Sequence, residues 1–305
     1  MKHIPVLFED VILNMHAHKD RVRWILDGTF GRGGHAVGML KECQQAHLIG
    51  VDRDHEAIEF GCQHFKKEID ERRLYLLRGN YAQLSDLNAE IESIMGTQLF
   101  DVILLDLGVS SPQLDQPERG FSFYHDGPLD MRMDQRDETT AADILNTWSD
   151  KELSDLFFQL GEIRRPNRVV KRIIERRREK LFESTLELAH LIEMAEGWTR
   201  KGHHPATNYF MALRIQVNHE LEQVEQMVQP LVERLNACGR LLVITFHSTE
   251  DRIVKLSFKK LKEDGVGTLV NKKVIQAGWS EKKANPRARS AKLRIFEKGV
   301  ETNES

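Results

Sequence analysis

The chain is poor in cysteine, in long apolar runs and in paired metal-ligand spacings, and each scarcity removes a class of protein. Its 3 cysteines, Cys43, Cys62 and Cys238, stand far apart in 305 residues. Such spacing builds neither a disulfide framework nor a zinc grip, so a reducing cytoplasm is the expected location. The 13 histidines are scattered, and the pairs His16/His18 and His203/His204 lack a carboxylate or thiol at ligand spacing. No metal is expected. Apolar runs such as Leu241 to Phe246 fall far short of the roughly 20 residues that cross a bilayer, and Glu9 and Asp10 interrupt a signal-peptide pattern. No membrane association is expected. What remains is a water-soluble chain whose 40% hydrophobic content, with 14 Phe and 4 Trp, suffices for one large or two medium domains.

A uniform charge is also lacking, because the net −3 conceals segregation. Arg164 to Lys180 carries nine Lys or Arg against two Glu, and Lys255 to Lys298 carries thirteen against four acids. Those stretches stand at +7 and +9, which leaves the rest of the chain at −19. Local basic stretches on an acidic body are the footprint of a polyanion-binding face, although a solvated helix face reads the same way.

Short apolar runs alternate with amphipathic stretches through the first third: Arg23 to Asp27, Leu48 to Asp52, Leu74 to Arg78 and Val102 to Asp106, followed respectively by helices after Gly34, from about His55 and from about Ala82. Four such strands with crossover helices predict an α/β, Rossmann-like doubly wound sheet. The rhythm breaks at Ser111 to Asp137, dense in Pro, Gly and Asp, and mostly helical sequence follows to about Leu235. The expected division is a core of residues 1–112 and 218–305 interrupted by a helical insertion at 113–217. Within the insertion, Pro166 and Asn167 mark a helix start. Val169, Val170, Ile173, Ile174 and Leu181 form its apolar stripe, and Lys171, Arg172, Arg176, Arg177 and Arg178 its cationic face. Strands return at Arg240 to Phe246, Leu269 to Ile275 and Lys292 to Glu297, the last two as an antiparallel edge, with a helix from about Glu250. The tail Glu301 to Ser305 reads as disordered.

The first strand ends in Asp27 and turns through Gly28, Gly31, Gly33 and Gly34 into a helix. Glycines there let the backbone approach a ligand and present helix N-terminal amides to it, though tight turns use glycine for geometry alone. Asp52 ends the next strand, where an acid accepts hydrogen bonds from ribose hydroxyls. The glycines miss the register of the dinucleotide fingerprint, and the P-loop lysine is absent. A strand-terminal aspartate followed by x-x-x-G-x-G suits instead a cationic ligand with an amino acid end, such as S-adenosylmethionine, with Asp27 accepting from its ammonium group. Asp106 closes the fourth strand. There it faces a reacting atom and, for an exocyclic amine substrate, holds the N–H so that the nitrogen lone pair points at a methyl group. A nicotinamide-dependent oxidoreductase and a non-catalytic RNA-binding or assembly factor remain as alternatives.

The strings HIPVL (His3 to Leu7), DGTFGRGGH (Asp27 to His35), DRD (Asp52 to Asp54), LLDLGVSSPQLD (Leu104 to Asp115), ERGFSF (Glu118 to Phe123), DGPLDMRMD (Asp126 to Asp134), FHSTEDRIVK (Phe246 to Lys255) and NPRARS (Asn285 to Ser290) are spread along nearly the whole chain. Together they resemble the bacterial ribosomal RNA small subunit methyltransferase H family, also called MraW. The resemblance implies a class I S-adenosylmethionine methyltransferase sheet with an inserted helical substrate-recognition domain. The implied reaction is N4-methylation of a cytidine in the decoding region of 16S rRNA, cytidine 1402 in the family's usual rRNA numbering. Implied cofactor contacts are Gly33, Gly34 and His35, Asp52 on the ribose, Tyr81 beside the adenine, and Asp106 and Gln113 near the methionine end. Asp130, Arg132 and Asp134 then read as an active-site cover. Expected contacts to 16S rRNA or the small subunit are Arg164, Arg172, Arg176 and Arg177 in the insertion, His247 and Ser248 after the late strand, and Arg287 and Arg289, with Lys292 and Arg294, near the end. His247 also reads as the cap of a helix. The chain departs from the family pattern at Asn208, usually Arg, at Thr249, usually Leu, and at Pro166-Asn167. A homodimer is compatible with all of this.

Overall fold

The computed structural model describes residues 5–197 and 204–300. His3, Ile4, His203 and Glu301 to Ser305, on which parts of the sequence reading fall, lie outside the described residues. Two compact units are present, one within Met1–Gly108 and Leu221–Ser305 and the other within Val109–Glu220.

The first unit opens with α1 (Phe8–Asn14) and then alternates: β1 (Trp24–Asp27), α2 (Gly34–Glu42), β2 (His47–Asp52), α3 (His55–His64), α4 (Lys66–Asp70), β3 (Leu74–Arg78), α5 (Asn88–Met95) and β4 (Phe100–Asp106). A 3-10 segment, Tyr81–Leu87, precedes α5 where a helix was expected from about Ala82. The chain next forms α6 (Ser111–Asp115), α7 (Ala141–Thr147), α8 (Asp150–Gln159), α9 (Asn167–Arg177), α10 (Thr185–Glu196) and α11 (Thr207–Val217). It returns through α12 (Glu220–Glu233), β5 (Leu235–Thr245), α13 (Ser248–Glu263), β6 (Gly267–Leu269), β7 (Ile275–Gln276), α14 (Trp279–Ala284) and β8 (Lys292–Lys298).

The sheet runs in the order β3-β2-β1-β4-β5-β8-β6, with β7 also on β8. Its first five strands are parallel, and β8 is antiparallel to β5, β6 and β7. β1, β2, β4 and the second half of β5 are buried on both faces, which is why they read as apolar runs, while β3, at the sheet's edge, is mostly half-buried. Val102 and Leu104 of β4 join Leu242 and Ile244 of β5 in one core, under Ala36, Met39 and Leu40 of α2. Ile103, Leu105, Leu241 and Val243 face the other core, with Val228 and Leu231 of α12 and Val254 and Phe258 of α13. Each such side chain contributes about 1.5–3 kcal/mol on burial. The expected strand Leu269 to Ile275 is instead two short strands. Between them the Asn271 side chain donates to the Lys273 carbonyl at 2.7 Å, turning the chain out of the ladder.

In the second unit, Val169, Val170 and Ile173 of α9 pack with Phe157, Phe182 and Tyr209. Leu181 does not belong to that stripe: it lies beyond the helix end and is 54% exposed. Asp130 accepts Arg132 at 2.8 and 2.7 Å, and Asp134 accepts Arg136 at 3.0 and 2.6 Å. Asn218 holds the same loop from the end of α11, accepting the Met133 amide at 2.8 Å and donating to the Met131 carbonyl at 2.7 Å. The charges expected to cover an active site are thus engaged with their own loop.

Candidate active site

Three neighbouring strands, β2, β1 and β4, each end in an aspartate: Asp52, Asp27 and Asp106. Parallel register sets Asp27 beside Gly50 of β2 and Leu104 of β4, so the carboxylates lie along one sheet edge. In open α/β sheets that edge is where ligands bind.

The turn after β1 ties these acids together. Asp27, only 2% exposed, accepts the Thr29 amide at 3.2 Å. The Thr29 hydroxyl accepts the Asp106 amide at 2.7 Å. Asp52 accepts the Gly31 amide at 2.8 Å with one oxygen and the Asp54 amide at 2.9 Å with the other. Gly33, at φ 69°, caps α2 from the left-handed region, and a Cβ there would stand 2.6 Å from the Phe65 ring. At Gly34 an added Cβ would meet Pro5 at 2.4 Å. Glycine at both positions therefore serves the protein's own packing, while the first-turn amides of α2 form the positive end of a helix with no acceptor inside it. Tyr81 is buried beside the turn, its Cβ 3.1 Å from where a Cβ on Gly28 would lie.

His35, on α2, brings Nε2 to 3.7 Å from Asp106 Oδ2. The other carboxylate oxygen of Asp106 is buried and has no hydrogen-bond partner among the described residues. Burial pushes the Asp106 carboxyl up to about 8, reinforced by the charges of Asp27 and Glu250. Burial likewise raises Asp27 to about 7, against the Thr29 amide and with help from Asp52. Asp52 rises to about 6, burial again outweighing its two amide hydrogen bonds. Desolvation dominates all three. Such an edge suits a ligand that brings positive charge, which favours the ionised carboxylates, together with hydroxyl donors.

Asp27, Asp52, Asp106, Gly33, Gly34, His35 and Tyr81 thus gather in the first unit. Gln113 lies in the second, buried in the capping box of α6, where its side chain accepts the Ser110 amide at 2.9 Å. His247 turns out to be the cap of α13: its ring accepts the Glu250 amide at 3.4 Å and Nε2 lies 2.9 Å from Glu250 Oε1. Ser248 begins that helix, exposed. Glu250, 1% exposed and accepting the Phe246 amide at 3.0 Å, was not singled out in the sequence, nor was Thr29. An acid three residues after a helix start is the signal that could have found the first, and a hydroxyl two residues after a strand-terminal aspartate the second.

The cationic residues divide. Arg164 and Arg172 are exposed, as are Arg165, Arg168, Lys171 and Arg178. Arg177 is not available in the same way, because its guanidinium donates to the Leu145 and Trp148 carbonyls, both at 2.7 Å. Arg176 donates to the Lys180 carbonyl at 2.6 Å, pairs with Glu187 at 3.5 Å and lies over the Phe182 ring. Near the end of the chain, Arg289 is exposed and Arg287 half-buried. Lys292 and Arg294 instead hold Asp251, at 3.1 and 2.7 Å.

Among the described residues no helix is long and apolar enough to cross a membrane, and no group of three or more His, Cys, Asp or Glu is placed to hold a metal ion.

A family model described as the MraW methylase family matches residues 1–299. The chain is 47% identical over 301 residues to the ribosomal RNA small subunit methyltransferase H of Bdellovibrio bacteriovorus, an alignment covering 98% of this chain and 89% of that protein. The protein of the same name from Coprothermobacter proteolyticus is 39% identical over 307 residues, covering 100% and 99%. A solved structure of a putative methyltransferase from Streptococcus mutans in complex with SAH aligns over 97% of this chain and 99% of that one, with a TM-score of 0.45 and 11% identity.

Proposed function

Because the chain belongs to the MraW methylase family, we propose that it is a ribosomal RNA small subunit methyltransferase that methylates N4 of a cytidine in the decoding region of 16S rRNA, cytidine 1402 in the family's usual numbering. The methyl donor is S-adenosylmethionine, whose sulfonium supplies an electrophilic methyl group. The residues fit it: Asp52 accepts from ribose hydroxyls, Asp27 from the ammonium group, the N-terminal end of α2 at Gly34 receives the carboxylate end, and Tyr81 borders the adenine.

The observation that carries the reading is the unpartnered, buried oxygen of Asp106 at the end of β4. A buried acceptor without a donor is costly, by about 1–3 kcal/mol, unless a ligand supplies the donor. The exocyclic amine of an unstacked cytidine does so. Asp106 accepts one N–H, localises the lone pair toward the methyl group, and takes the proton that the nitrogen releases when the N–C bond forms. A carboxyl titrating near 8 is matched to holding that proton. The RNA is held by exposed cations, Arg164, Arg168 and Arg172 in the second unit and Arg289 in the first, so affinity falls steeply with salt. The enzyme acts in the cytoplasm.

Tritiated methyl transfer to 16S rRNA and to small subunits, followed by nucleoside analysis of the product, tests this directly. N4-methylcytidine is the expected product. Labelling at another atom or base refutes the specificity, and binding of RNA with no transfer identifies a non-catalytic assembly factor instead.

A further inference from the structure

Trp279 stands 77% exposed on α14, a large indole left in water. The segment that carries it is fixed from below. Ala277, Ala288 and Ala291 are buried in the core of the sheet, and the Asn285 side chain accepts the Arg287 amide at 3.1 Å. The helix packs on the 3-10 turn Pro286–Arg289. Above it the surface is open: a Cβ on Gly278 would meet no heavy atom within 4 Å.

Cations dominate the segment that carries this ring: from Gly265 to Phe296 there are eight Lys or Arg and one acid, Glu281, although Lys292 and Arg294 are held by Asp251 and Glu281 lies near Asp10 of α1. The Glu281 carboxylate already accepts the Leu7 amide at 2.6 Å. Lys283 lies with Nζ 5.2 Å from the Trp279 ring centroid, and Arg289 is exposed on the turn beneath. A second copy of the chain seated here by two-fold symmetry would bring like charges together. A polyanion with flat, apolar faces matches instead, because every unpaired base offers a π-face and every linkage a phosphate.

We propose that Trp279 is a stacking platform for an unpaired base of the substrate RNA, with Lys283 and Arg289 on the flanking phosphates. This surface rests on the RNA-modifying reading above and adds an RNA contact on α14, which follows β7 at the end of the sheet where Asp106 closes β4. It holds the strand without reading base identity, since stacking is sequence-tolerant.

The test titrates the full-length protein, without cofactor, with a single-stranded oligouridine of about ten nucleotides, a length within the range such surfaces cover. Binding is expected to quench tryptophan fluorescence in the wild type. Trp279→Ala removes most of the quench and weakens affinity about tenfold, while Trp279→Phe, which keeps a ring, retains most of the affinity. The proposal is overturned if the wild type does not bind, if Trp279→Ala binds as tightly as wild type, or if Trp279→Phe is as weak as the alanine variant. A Trp279→Ala protein that passes from dimer to monomer with RNA affinity unchanged also overturns it, in favour of self-association. No methyl transfer is read, so failure here is distinguishable from failure of the methyltransferase reading.

Discussion

The Thr29 hydroxyl accepts the backbone amide of Asp106 at 2.7 Å, joining the turn after β1 to the end of β4 across two neighbouring strands. Through that bond the turn after β1, proposed above to hold the cofactor, fixes the backbone from which the Asp106 carboxylate projects. Thr29→Val keeps the shape and leaves the Asp106 amide without its acceptor, at a cost of about 1–3 kcal/mol. The expected result is a lowered melting temperature together with a lower kcat for methyl transfer, both restored by Thr29→Ser. Wild-type kcat in the valine variant would show that the bond does not position Asp106.

Asp106 itself separates two roles by two substitutions. Asp106→Ala removes the acceptor for the amine and should abolish detectable transfer. Asp106→Asn preserves volume and one carbonyl oxygen but cannot take up the released proton, so kcat should fall by about 10²–10⁴, the range associated with a positioned acid or base. Single-turnover assays at saturating RNA and cofactor measure both. An asparagine variant with near wild-type turnover would leave Asp106 as a hydrogen-bond acceptor only, with the proton going directly to water.

The parallel sheet and its three strand-terminal acids were legible in the sequence because both follow from short-range pattern. Val102 to Leu105 must be buried on both faces, and the aspartate that ends such a run marks where the strand leaves the core. The roles of Arg177, Lys292 and Arg294 were not legible. A cationic helix face looks the same whether its guanidinium groups meet phosphate or the carbonyls of Leu145 and Trp148, and those partners lie about 30 residues away in sequence. His247 was open to two readings, and only the backbone geometry at the start of α13 shows it capping the helix. Glu250 escaped notice for a similar reason: its influence on Asp106 passes through space between β4 and α13.

The division among the basic residues is testable. Arg177→Ala removes two hydrogen bonds to carbonyls near the end of α7, and is expected to lower stability by about 1–3 kcal/mol. Arg164→Glu combined with Arg172→Glu, at exposed positions, should leave the melting temperature near wild type and weaken 16S rRNA binding, with a shallower dependence of affinity on salt. Chemical denaturation and filter binding over a salt series give the two readouts. If the glutamate pair binds RNA like wild type while Arg177→Ala binds weakly without loss of stability, the assignment is reversed.

The three acids also predict opposite pH responses for folding and for cofactor binding. Burial pushes Asp52, Asp27 and Asp106 up to about 6, 7 and 8 in the folded chain, against about 3.9 for an ordinary aspartate. Between pH of about 4 and 8 the folded protein therefore holds protons that the unfolded chain has released, and stability falls as pH rises through that window. Below about pH 4 both states are protonated, so the pH dependence flattens with the stability from these groups at its highest. For S-adenosylmethionine the sign is opposite, because its cationic groups favour the ionised carboxylates, so affinity should rise from pH 6 to pH 8. Thermal unfolding without cofactor should show a melting temperature that declines over this range. Saturating S-adenosylmethionine should narrow the decline, and Asp106→Asn should flatten it. Calorimetric titration at pH 6 and 8 measures the affinity directly. A cofactor affinity that is constant or lower at pH 8 would mean that the sheet-edge acids do not face the cationic part of the ligand.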